Sequence, residues 1–77
     1  MHTLFVGGLP PDSSTETLQQ LFGDLAGLRS ARVVTSDTGG CRGFGYVTFD
    51  NREAVLAAQD RNGTDLHGHR LRVALAR

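Results

Sequence analysis

The feature that most constrains this chain is the stretch CRGFGYVTF at residues 41–49. Read at the two-residue period of a strand, it carries large side chains on both sides. Phe44, Tyr46 and Thr48 point one way, while Gly45, Val47 and Phe49 point the other. One side needs a hydrophobic core beneath it. The rings on the other side then need a separate explanation.

The flanking sequence supplies the core. Residues 3–8 read as a strand, with Leu4 and Val6 on one face and Phe5 on the other. Pro10 and Pro11 stop it. Ser13 followed by Glu16 reads as a capping box. Leu18, Leu21, Phe22 and Leu25 behind it form one helical stripe, which predicts an amphipathic helix over 14–25 with Gly27 as its stop. Residues 28–35 predict a second strand, SDTGG at 36–40 a turn, and 42–49 a third strand. A second helix is expected over 51–62, packing through Ala54, Ala57 and Ala58. Arg61 continues that stripe and does not suit a core, so it must snorkel or shift the helix end. A turn-rich connection at 64–69 leads to a fourth strand at 70–76, with Leu71, Val73 and Leu75 against Arg70, Arg72 and Ala74.

The order βαββαβ is the α+β, ferredoxin-like split βαβ. Four antiparallel strands carry both helices on one face, over Leu4, Val6, Val33, Val47, Phe49, Leu71 and Val73. With 77 residues and neither repeat nor linker, the expectation is a single domain over residues 1–77.

Several function classes drop out. Apolar residues make up 39% of the chain, and no run approaches the ~18 residues of a membrane-spanning helix. The start MHTLFVGGLPP lacks the basic region and long apolar stretch of a signal peptide. Cys41 has no disulfide partner and suits a reducing, intracellular compartment. His2, His67 and His69 show no metal-ligand spacing with it, so no metal and no cofactor are expected. Small acyl phosphatases share a related topology, but no carboxylate pair or nucleophile–base spacing supports catalysis.

The open sheet face is where the anomaly lies. Alternation places Phe5, Phe44 and Tyr46 there, three of the chain's five aromatics, with Arg32, Arg42, Arg70 and Arg72 among them. Val34 and Ala74 are expected to line the same surface. Exposed contiguous rings mark a binding face unless a loop or tail covers them. Rings interleaved with arginines suit single-stranded nucleic acid, where bases stack and guanidinium groups take phosphates. Gly43 and Gly45 are expected to let a base or backbone come close to the strand, or to mark a bulge.

Formal net charge is zero, yet it is unevenly distributed. Residues 10–27 carry −3 (Asp12, Glu16, Asp24), and residues 66–77 carry +3 (Arg70, Arg72, Arg77). Residues 28–49 carry +2 (Arg29, Arg32, Arg42 against Asp37). Residues 50–65 carry −2 (Asp50, Glu53, Asp60, Asp65 against Arg52, Arg61). The fold turns this into an acidic helical back and a basic, aromatic front.

The octamer RGFGYVTF at 42–49 resembles the K/R-G-F/Y-G/A-F-V-x-F/Y signature of the RNA recognition motif (RRM) family, with Tyr46 at an aromatic position. LFVGGL at 4–9 resembles the family's first-strand hexamer. The likeness runs through to the closing strand LRVALA. It implies a module that binds single-stranded RNA by stacking bases on Phe5, Phe44 and Tyr46, with Arg42 on a phosphate. Arg32, Arg70 and Arg72 join the site from strand alternation. The combination of LFVGGLPP and CRGFGYVTF also resembles RRMs of multi-RRM nucleolar ribosome-assembly proteins. A nuclear or nucleolar location follows from that likeness, with the cytoplasm as the alternative. So does a monomeric module that works beside further RRMs or protein partners. Arg61 departs from the Leu or Met usual there, and Ala26-Gly27 ends the first helix one residue late. Single-stranded DNA stays open as a ligand. The rival reading is a protein-interaction module on the same fold.

Overall fold

In the computed structural model, which describes residues 2–66 and 68–76, the chain alternates strands and helices. The elements are β1 (His2–Gly7), α1 (Thr15–Phe22), β2 (Leu28–Thr35), β3 (Cys41–Phe49) and α2 (Arg52–Gln59), followed by β4 (Asp65–Leu66), β5 (His69–Arg70) and β6 (Arg72–Leu75). Strands β2-β3-β1-β6 form one antiparallel sheet in that order, and β4-β5 form a separate two-stranded ribbon. The split βαβ expectation holds, with α1 packing on β2 and α2 on β1, β3 and β6. His67 and Arg77 lie outside the described residues.

The core forms where alternation put it. Leu4, Val6, Val47, Phe49, Leu71 and Val73 are buried from the sheet, with Leu18 and Phe22 from α1 and Ala54, Val55 and Ala58 from α2. Phe22 meets Phe49 edge-on at 6.3 Å between ring centres. Four assignments shift. Ala31 is buried while Val33 is only half-buried against the cluster. Val55 rather than Ala57 completes the buried face of α2. Leu75 is in core phase but stays 55% exposed, near the equally exposed Leu56 across a shallow groove. Both helices are shorter than their stripes.

The α1 cap falls one residue later than expected. Ser14 is the N-cap, and its amide donates to Thr17 Oγ1 at 3.1 Å. Ser13 instead ends a turn, its amide donating to the Pro10 carbonyl, and its own hydroxyl is buried without a partner among the described residues. At α2 the cap is Asn51, whose Oδ1 accepts from the Ala54 amide at 2.8 Å. Glu16 and Glu53 lie in the first turns, where the helix dipole favours an anion.

Arg61 ceases to be a misfit once the helix end is located. α2 stops at Gln59, so Arg61 lies beyond it. Its guanidinium makes two 2.8 Å bonds to the Asp24 carboxylate and donates to the Leu21 carbonyl, one of the four that end α1 without an intrahelical partner. It also lies 5.9 Å from the centre of the Phe22 ring. One side chain thus ties the ends of both helices together. The hydrogen bond from Arg61 holds the Asp24 carboxyl below its ordinary pKa and, in return, raises that of the guanidinium.

The fourth strand breaks where one continuous run over 70–76 was expected. The Leu71 amide donates to the Thr64 carbonyl, and its carbonyl accepts from the Gly63 amide, both at 2.8 Å. Leu71 is therefore bonded to the α2 exit, and pairing with β1 begins only at Arg72. Arg70 falls in the ribbon, off the four-stranded sheet.

Candidate functional site

The sheet register assembles the open face row by row. Phe5 pairs with Tyr46 on one side and Ala74 on the other, and Arg32 pairs with Tyr46. One row therefore reads Arg32, Tyr46, Phe5, Ala74 across four strands. The next reads Phe44, Gly7, Arg72. A third reads Ser30, Thr48, Thr3.

The three rings form a contiguous cluster. Phe5 and Phe44 stack at 5.7 Å with planes 29° apart. Tyr46 stands edge-on to both, at 6.0 Å from Phe5 and 6.3 Å from Phe44. All three are half-buried, so each ring keeps solvent contact. The Phe5 ring lies over Gly7, where an added Cβ would sit 2.7 Å from Phe5 Cε2. A bare glycine at the end of β1 thus lets the ring lie down beside Phe44. Offset and edge contacts of this kind are favourable arrangements, and they hold the platform in shape.

The cations frame that platform. The Arg32 guanidinium lies 5.9 Å from the Tyr46 ring centre. Arg72 is exposed beyond Gly7, and Arg42 is exposed at the start of β3. Arg70 is exposed on the ribbon, with its carbonyl against Gly8. Among the described residues, the ion pairs are Arg29 with Asp50 at 3.3 Å and Arg61 with Asp24 at 2.8 Å. Arg32, Arg42, Arg70 and Arg72 have no acidic partner there. The sheet brings Phe5, Phe44, Tyr46, Arg32 and Arg72 together; Arg42 stands at its edge and Arg70 outside it.

The two glycines of the octamer separate. Gly45 is buried, and a Cβ there would meet the Arg32 carbonyl at 2.4 Å and Leu18 Cδ1 at 3.0 Å. Its missing side chain serves helix–sheet packing on the core side, not the approach of a base. Gly43 has φ +95°, a backbone that side-chain-bearing residues rarely adopt, and its carbonyl accepts from the Leu9 amide at 2.9 Å. That bond holds the segment after β1 against β3.

The third row carries side chains that sequence reading did not single out. Thr3 Oγ1 and Thr48 Oγ1 lie 3.2 Å apart. The alternation of β3 placed Thr48 beside Phe44 and Tyr46, but only the cross-strand register aligns it with Thr3 and Ser30. No cluster of three or more potential metal ligands occurs among the described residues.

Chemically, this surface offers flat π faces to planar groups and unpaired guanidinium groups to anions. Comparison with known proteins agrees with that character. The family model described as RNA recognition motif matches residues 4–72. Among curated proteins, RNA-binding protein 28 of Homo sapiens is 41% identical over 76 residues, covering 97% of this chain and 10% of that protein. The second RRM domain of yeast poly(U)-binding protein (Pub1) superposes with a TM-score of 0.92 at 35% identity, covering 100% of this chain and 95% of that one. A Sex-lethal protein/RNA complex gives 0.91 at 28% identity, covering 99% of this chain and 47% of that one. The chain spans less than half the length of the curated relatives it matches.

Proposed function

This chain belongs to the RNA recognition motif family, and on that premise we propose that it binds a short stretch of single-stranded RNA on the open face of its sheet. The observation that carries the reading is the half-exposed cluster of Phe5, Phe44 and Tyr46, bordered by arginines that have no acidic partner among the described residues. Two or three bases stack on the rings, each contributing about 1–3 kcal/mol. Arg32, Arg42, Arg70 and Arg72 take phosphates or stack in turn. The similarity to a protein solved in complex with RNA supports the choice of ligand. The module binds rather than catalyses. It acts as a monomer, beside further domains of a longer nuclear or nucleolar protein.

Zero net charge shapes the mechanism. Long-range attraction is weak, so stacking and local arginine contacts dominate. With at most four arginines on phosphates, log K should fall against log salt with a slope no steeper than about −2.8. An apolar peptide contact would barely respond to salt.

The test is an NMR titration with a pool of short RNAs, read at two salt concentrations. Shift changes should centre on Phe5, Phe44 and Tyr46, and affinity should fall modestly with salt. Saturable RNA binding that leaves the three rings unperturbed sinks the proposal, as does no binding at all.

A further inference from the structure

The open face changes character along its strands. At one end stand Phe44 with Arg72, then Tyr46 and Phe5 with Arg32. Two residues further along lies the row of Ser30, Thr48 and Thr3, about 6.6–6.8 Å beyond the Tyr46–Phe5 row. That row holds three hydroxyls, no ring and no charge. It cannot stack a base, and it cannot hold a phosphate by charge.

Most of its hydrogen-bonding capacity is unspent among the described residues. Each threonine hydroxyl has one proton and two lone pairs. The contact between Thr3 and Thr48 at 3.2 Å uses one proton and one lone pair. One donor and three acceptor sites remain on the pair. Ser30 is exposed and adds a further hydroxyl with no protein partner among the described residues. The strip therefore suits a neutral group that both donates and accepts.

The geometry points to a third nucleotide subsite over Thr3, Thr48 and Ser30, where hydrogen bonds select a nucleotide through its ribose 2′-hydroxyl or its base edge. This rests on the RNA-binding reading and adds to it a place where recognition comes from hydrogen bonds instead of stacking or charge. Both sources offer the same chemistry, a paired donor and acceptor. A 2′-hydroxyl there makes the strip the part of the face that tells RNA from DNA. The competing view is that Thr3 and Thr48 are only a cross-strand pair that steadies the sheet.

The experiment compares the wild-type chain with the double variant Thr3→Val, Thr48→Val, which keeps side-chain shape and β-branching while removing both hydroxyls. Ser30→Ala is the milder partner variant, and Phe44→Ala the stacking control. A sequence selected from a random RNA pool is resynthesised with single 2′-deoxy and single-base changes at each position. For the wild type, one position beside the stacked bases should lose about two- to tenfold in affinity on one of those changes. A loss on deoxy substitution assigns the 2′-hydroxyl; a loss on base substitution assigns the edge. In the valine variant that penalty should vanish while the Phe44→Ala penalty persists and the salt slope is unchanged. Valine variants with a lower melting temperature but the wild-type pattern at every position overturn the subsite and leave RNA binding standing. A wild type that selects no RNA overturns both.

Discussion

Phe44 and Phe49 sit five residues apart on β3 and meet neighbouring rings in almost the same way. Phe49 faces Phe22 edge-on at 6.3 Å and 77°. Phe44 faces Tyr46 edge-on at 6.3 Å and 88°. A ring pair of this kind contributes only about 0.5–1.5 kcal/mol beyond its burial. The pairs differ in what covers them. Phe49 is wholly buried under both helices, whereas Phe44 keeps part of its surface in water. The core ring has already released its hydrophobic free energy on folding. The open ring holds part of its own in reserve until a ligand covers it. Strand phase alone therefore commits one phenylalanine to the core and, on the proposed reading, leaves the other for binding.

The largest effect should come from breaking the core side. Phe49→Ala is expected to cost about 3–5 kcal/mol of stability. Domains of this kind are stable by only about 5–15 kcal/mol in total, so the variant should unfold at low urea. Phe44→Ala should weaken RNA binding by about 1–3 kcal/mol and leave the urea midpoint near the wild-type value. Denaturation and binding titrations on both proteins check the pair. If Phe44→Ala unfolded the domain while Phe49→Ala did not, the two faces would have been exchanged.

Gly45→Ala sharpens the same comparison from the backbone. The added methyl would strike the Arg32 carbonyl across the sheet and press on Leu18 beneath it. We expect a stability loss of about 1–3 kcal/mol, read by urea denaturation. A variant that folds as stably as the wild type but binds RNA poorly would return Gly45 to the binding face.

How much of this was legible in the sequence follows from the range of the forces involved. The phase of β1 and β3 is local, because alternation within one strand decides which residues share a face. Phe5, Phe44 and Tyr46 were therefore readable, and so were Leu4, Val47 and Phe49. The α1 cap is local too, but SSTET at 13–17 offers two overlapping candidates. Ser13 with Glu16 matches the pattern, yet Ser14 with Thr17 forms the contact, because the turn closed by the Pro10 carbonyl engages Ser13. Non-local bonds were out of reach. Leu71 leaves the β1 ladder for Gly63 and Thr64, which moves Arg70 off the main sheet. Leu75 has a core residue's phase but lies at the end of an edge strand, where α2 no longer covers it. The alignment of Ser30, Thr48 and Thr3 needed the register of three strands at once.

The smallest effect lies on the helical back, where Arg61 and Asp24 join the two helices. In folded protein the Asp24 carboxyl titrates below its ordinary value, chiefly because Arg61 hydrogen-bonds its ionised form. An unfolded aspartate titrates near pH 3.9. The pair's contribution is therefore fully present above about pH 4 and is lost as pH falls through the depressed folded value. The wild type should melt slightly higher than Asp24→Asn at neutral pH, and the gap should close only under acid conditions. Added salt should narrow it as well, since Asp24 is exposed. Melting curves of both proteins from pH 7 to about pH 2 decide the matter. A gap missing at pH 7 would show that Arg61 acts only through the Leu21 carbonyl and the Phe22 ring, whereas a gap that survives to the lowest pH would show that Asp24 contributes without its charge. RNA affinity should be the same in both proteins at neutral pH, because this pair lies on the opposite side of the sheet from Phe44. A drop in affinity on Asp24→Asn would mean that the two faces are coupled through α1 and β2.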